Sequence, residues 1–199
     1  MTRLQQSDHD AADDGYTLVE LMVAGLLGVL VLIVVAGIMI SSTTTEGLVR
    51  NVSTATKSGQ GVTNSLERVI RNAAISSGTT KSVLVTAVGS DQMVTALTVG
   101  SGATATTQCA AWYFSSAAKA IRYHTWASGA ITAPSAAVLS TWTLLASGIT
   151  PVTGTTIFTQ SSSTEIAFAF KVDAGKDPAI PFQSAVASQT GMTGTIACF

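Results

Sequence analysis

Two histidines, two cysteines and eleven carboxylates are what this sequence offers for proton transfer, nucleophilic attack or metal ligation. His9 sits among the first fifteen residues, and His124 lies in a strand-like stretch with no acidic residue beside it to orient an imidazole. A zinc site would have to gather His124, two distant cysteines and scattered acids without ligand spacing. Gly100-Ser101-Gly102 lacks the lysine and the strand–helix setting of a phosphate loop. Asp173, Gly175 and Asp177 supply two carboxylates where calcium takes about six to eight oxygens, so the stretch Asp173–Ile180 reads as a solvated loop. Trp112, Trp126 and Trp142 could form a sugar-binding platform, but scattered aromatics in strand-like segments are expected in a core. No catalytic residue, metal site or cofactor is expected. Cys109 and Cys198 are an even pair, open to two readings. In an oxidising compartment a bridge would close a long loop and contribute about 4 kcal/mol. The alternative is two buried thiols acting as small hydrophobes.

The remaining chemically unusual residue is Glu20, which stands directly before twenty uncharged residues, Leu21–Ile40. As a helix that run covers about 30 Å, the thickness of a bilayer's hydrocarbon core. A cleaved secretory signal would have a basic start and an apolar core of about 7–15 residues. The first fifteen residues instead carry one Arg and four Asp, the apolar run is too long, and no small-residue cleavage site follows Ile40. A plain signal anchor accounts for the run but not for its edge. Glu20 then either stays wet at the headgroups or enters the membrane, where an unpartnered carboxylate costs several kcal/mol.

A third reading accounts for the edge. The segment Gly15-Tyr16-Thr17-Leu18-Val19-Glu20-Leu21 resembles the prepilin peptidase recognition motif of type IV pilins and type II secretion pseudopilins. A polar leader, a glycine at its end, a glutamate five residues on and an apolar run coincide here. The resemblance covers about the first forty residues and departs from the family's usual Phe at Tyr16. It implies cleavage by prepilin peptidase between Gly15 and Tyr16, N-methylation of Tyr16, and docking of Glu20 onto the amino terminus of a neighbouring subunit. A cation supplied by a neighbour would neutralise a carboxylate that cannot otherwise be buried. The resemblance places the head outside the cytoplasm. The count of flanking charges, Arg3 before the run against Arg50 and Lys57 after it, leans the other way.

Past Ile40 the sequence turns polar at Ser41–Thr45 and then resumes a helical pattern. Leu48, Val52, Ala55, Gly59, Val62, Leu66, Val69 and Ala73 alternate four and three apart, while Arg50, Lys57, Glu67, Arg68 and Arg71 fall on the other faces. Gly59 and Gly61 are candidates for a bend, and the helix is expected to end near Ser76-Ser77-Gly78. Strands are expected at Ser82–Val88 and Gln92–Val99, a hairpin about Gly89-Ser90-Asp91, then at Cys109–Phe114 and Lys119–Trp126. Thr164–Val172 alternates most clearly, with Ile166, Phe168, Phe170 and Val172 on one face.

The expected fold class is α+β. A leader, 1–15, precedes a membrane-embedded helix, 16–40, with an amphipathic continuation, 41–77, packed on an antiparallel β-rich head, 78–199. The expected function is a structural, non-enzymatic, minor subunit of a type IV pilus or related pseudopilus. The expected partners are prepilin peptidase, other pilin subunits and the plasma membrane through Leu18–Ile40. With 11% charged residues and a formal charge of −1, no basic cluster points to nucleic acid. The alternative is an anchored extracytoplasmic binding or adhesion domain that never polymerises.

Overall fold

The computed structural model describes residues 16–99, 107–189 and 191–199. The expected cleavage residue Gly15, the leader with His9, and Gly100-Ser101-Gly102 lie outside the described residues. Contacts separate a first unit that ends at Gly47 from a second, Leu48–Phe199. One helix, α1 (Leu18–Arg71), contributes to both.

The helix starts where Thr17 accepts a bond from the Glu20 backbone N–H through its hydroxyl, at 3.2 Å. Thr17-Leu18-Val19-Glu20 therefore has the sequence of a capping box, with an acid in the positive first turn. The polar stretch Ser41–Thr45 does not interrupt it. Thr43 donates to the Ile40 carbonyl, and Thr44 and Thr45 both donate to that of Ser41, each at 2.9 Å. Internal bonding of this kind spares hydroxyls the need for water.

In the second unit the sequence pattern becomes a packed face. Ala55, Gly59, Val62, Leu66 and Val69 of α1 are buried, four and three apart as the periodicity predicts, and Ile70 is buried beside them. Leu48, at the head of the expected stripe, is half exposed. Two corrections concern this helix. It does not bend at Gly59 and Gly61 by losing helical structure, since both lie within α1. Nor does it reach Ser76-Ser77-Gly78. It ends at Arg71, where the Asn72 side chain takes the Arg68 carbonyl, and Ala73–Ala74 leave as a short strand, β1.

Among the described residues every pair of strands is antiparallel, and one isolated bridge, Ile75 with Thr193, is parallel. A six-stranded sheet runs β1-β3-β4-β5-β6, with β2 beside β1 on the same edge of β3. Its members are β2 (Val83–Val88), β3 (Asp91–Val99), β4 (Thr107–Ser115), β5 (Ala120–Trp126) and β6 (Thr143–Ser147). The β2–β3 hairpin turns at Gly89-Ser90, where φ of +62° at Gly89 is a conformation that favours glycine. A four-stranded sheet runs β10-β9-β7, with β8 also on β9: β7 (Ile149–Pro151), β8 (Phe158–Gln160), β9 (Glu165–Ala174) and β10 (Asp177–Ala187). Helix α2 (Ala136–Thr141) precedes β6, capped by the Ser135 hydroxyl.

The expected loop Asp173–Ile180 is corrected by this sheet. Asp173 and Ala174 finish β9, and β10 begins at Asp177. Pro178 and Pro181 argue against a strand in the sequence, but β10 is an edge strand, where a missing N–H leaves no ladder bond unmade.

One core joins the three layers. The buried face of α1 meets Val94, Ala110, Trp112, Phe114 and Ile121 of the larger sheet and Ile166, Phe168, Phe170, Val172 and Val186 of the smaller. Two glutamines stitch the sheets together. Gln92, buried, accepts from the N–H groups of Ile157 and Phe158 and donates to the Phe158 carbonyl. Gln160 accepts from Val85 N–H and donates to the Val83 carbonyl. The other face of the larger sheet is closed by Met93, Ala111, Tyr113 and Trp142, with Leu139 and Ile131 packed on them.

Candidate functional site

The first unit holds the residues that the sequence singles out. From Tyr16 to Ile40 every large apolar side chain is between 46% and 81% exposed. No face of this segment is reserved for the chain's own core, as expected of a helix that lipid or other helices must cover. It is one helix long and apolar enough to cross a membrane near the N-terminus. Tyr16 and Glu20 are both exposed, Tyr16 just before the helix and Glu20 in its first turn. Glu20 and Glu46 bracket the uncharged stretch.

In the second unit Cys109 and Cys198 form a disulfide across a sequence separation of 89. Ala74, Leu97, Trp126 and Phe199 pack around it. The bridge fixes the end of the chain, which also bonds to the helix-to-sheet connection: Ile196 carbonyl accepts from Ser77 N–H and Cys198 N–H donates to the Ser76 hydroxyl. Trp112 and Trp142 are buried, and Trp126 is half-buried. Trp142 caps α2 rather than lying in a strand, and stacks on His124 at a ring distance of 5.1 Å. His124 stacks on Trp126 in turn, at 6.2 Å. Its imidazole is a layer in aromatic packing. Among the described residues no group of three His, Cys, Asp or Glu could hold a metal ion.

One polar cluster escaped sequence reasoning. Asp91 accepts from the Ser116 backbone N–H, the Ser116 hydroxyl and the Tyr113 hydroxyl, each at 2.8 Å, and so ties the β2–β3 and β4–β5 turns together. Burial raises the Asp91 carboxyl, but these bonds outweigh it and hold the group below its ordinary value. Tyr113 is pushed up to about 12, first by burial and then by its bond to Asp91. The cluster is a structural clasp; its turn-forming Asp-after-Gly-Ser signal was visible, but its partner 25 residues on was not.

The described surface also carries a cleft of about 270 Å³ between α1 and β5, lined by Gly61, Asn64, Ser65, Arg68 and Tyr123. A second, of about 200 Å³, lies by Asn51, Ser58, Ser147 and Asp173.

Compared with protein-family models, with curated proteins and with solved structures, the chain matches none. What is shown is thus architectural: a long N-terminal apolar helix whose second half packs on antiparallel sheets. The structure brings Cys109 and Cys198 together. It leaves Tyr16 and Glu20 without a partner from another element, and the residues of the acidic turn, Asp173 and Asp177, on a hairpin.

Proposed function

We propose that this chain is a structural subunit of a type IV pilus or a related pseudopilus. It is processed by prepilin peptidase after Gly15 and assembled through Tyr16–Ile40. The observation that carries the reading is Glu20 at the start of a helical segment, Leu18–Ile40, whose apolar side chains are uncovered on every side. Such a segment needs lipid before assembly and other helices after it. The GYTLVEL motif at its edge supports that family by resemblance. In this account Glu20 meets the methylated amino terminus of the neighbouring Tyr16. Any Glu20 left without that cation in an apolar filament core is penalised, so the pair sets register. The head is exported and carries the disulfide that an oxidising compartment permits.

One observation favours a second reading, an anchored adhesion domain that does not polymerise. Glu20 lies in the first turn of α1, where the positive end of the helix dipole favours a carboxylate without any neighbour. The two separate on Glu20→Ala and Glu20→Gln. The filament reading expects sheared surface filaments to disappear while the membrane-bound subunit persists. Filaments in normal amount from Glu20→Ala would count against docking through this residue.

A further inference from the structure

We infer that the cleft lined by Gly61, Asn64, Ser65, Arg68 and Tyr123 receives a carboxylate side chain from a second copy of this chain. The inference rests on the filament reading, which supplies the second copy.

Its first support is a contrast between two glycines of one helix. A glycine in a helix interior weakens it relative to alanine and calls for a reason. Gly59 has one inside the chain: a Cβ there would run into the Phe182 ring, so glycine is what lets β10 approach α1. Gly61 has none, because a Cβ there would meet nothing within 4 Å. What Gly61 does is leave bare helix backbone as one wall of the cleft, the setting in which glycine admits close approach from outside.

The second support is the donor set. Arg68 has no ion-pair partner among the described residues; its neighbour on the helix, Glu67, pairs with Arg71. Ser65 Oγ accepts from Trp112 Nε1 at 3.0 Å, which leaves its own hydrogen to donate. The Asn64 amide and the Tyr123 hydroxyl have no hydrogen-bond partner among the described residues either, and no carboxylate lines the cleft. A guanidinium, a phenol, a hydroxyl and an amide with no acid among them suit an acceptor-only, negatively charged group. At about 270 Å³ the space fits one side chain, not a helix or a strand. The head offers such groups: Glu165, Asp173 and Asp177 have no described ion pair within their own chain.

The test uses the full chain in cells that assemble it. Arg68→Glu and Gly61→Leu should each lower filament yield at least tenfold, with processing and membrane level unchanged. Arg68→Lys should retain filaments, and a zero-length carbodiimide should then link the new amine to an Asp or Glu of another copy. Mixing isotope-labelled and unlabelled subunits before mass spectrometry identifies a link between copies. Normal filaments from Arg68→Glu, links confined to one copy, or links to a different protein would each overturn the inference and leave the filament reading standing. A wild-type chain that is neither processed nor assembled would overturn both.

Discussion

The two halves of α1 share a secondary structure and differ in what covers them. Residues 21–40 are apolar all round and uncovered, whereas Leu48–Arg71 bury one stripe and turn charges outward. The helix therefore has two sources of stability. Its second half is held by tertiary packing on the sheets. The first half has only its own backbone bonds and caps among the described residues, and its apolar faces are left open. A change in one half should accordingly be read out differently from the same change in the other.

The largest expected effects lie in the head. Cys198→Ser should cost about 4–5 kcal/mol, the chain-entropy value for a loop of this size, seen as a lower denaturation midpoint. Leu66→Ala, at a fully buried site, should cost about 2–5 kcal/mol of head stability and leave membrane partitioning unchanged. Leu30→Arg is the converse. Placing the charge near the middle of the apolar run should oppose insertion by about 3 kcal/mol while head unfolding stays the same. If Leu30→Arg destabilised the head and Leu66→Ala released the chain from membranes, the division between the halves would fail.

Within the second half, the glycines sharpen the contrast further. Gly59→Ala should destabilise by about 1–3 kcal/mol, because its Cβ meets the Phe182 ring. Gly61→Ala should stabilise the head by about 0.5–1 kcal/mol, since the position is open. Opposite signs from two glycines a half-turn apart would locate the packed side of the helix without a structure.

The smallest effect is the pH response of the Asp91 clasp. Its carboxyl lies lower in the folded chain than in the unfolded one, so its stabilisation is complete above about pH 4 and is lost as the pH falls through the folded value. Tyr113 acts at the other end. Its contribution is complete below about pH 10 and is lost as the pH rises towards about 12. Asp91→Asn should flatten the acid limb of a stability-against-pH curve, measured by chemical denaturation.

Period carried most of what the sequence disclosed. The 4–3 spacing in Ala55–Val69 and the alternation in Ile166–Val172 each report a single buried face, and both faces are found in the core. The hairpins were legible because Gly89-Ser90 and Ser115–Ala118 punctuate strands on both sides. Elements that depend on partners far along the chain were not. The helix end at Arg71 is set by β1 pairing with Leu97 and Thr98, and Ala73-Ala74 looks helical until that pairing exists. Strands β6 to β8 are three to five residues long, too short for a period to show. β10 carries two prolines, which an edge strand with an irregular start tolerates. At the candidate site, the apolar run and Glu20 were readable by composition alone. The capping bond from Thr17 required the local geometry, and the donor-lined cleft required residues from α1 and β5 to be brought together.

The most direct test of the filament reading is the intact mass and amino-terminal sequence of the protein recovered from its native membrane or filaments. The account predicts a chain that begins at N-methylated Tyr16. A chain still beginning at Met1, in cells with an active prepilin peptidase, would contradict it and leave the anchored, non-polymerising domain in its place.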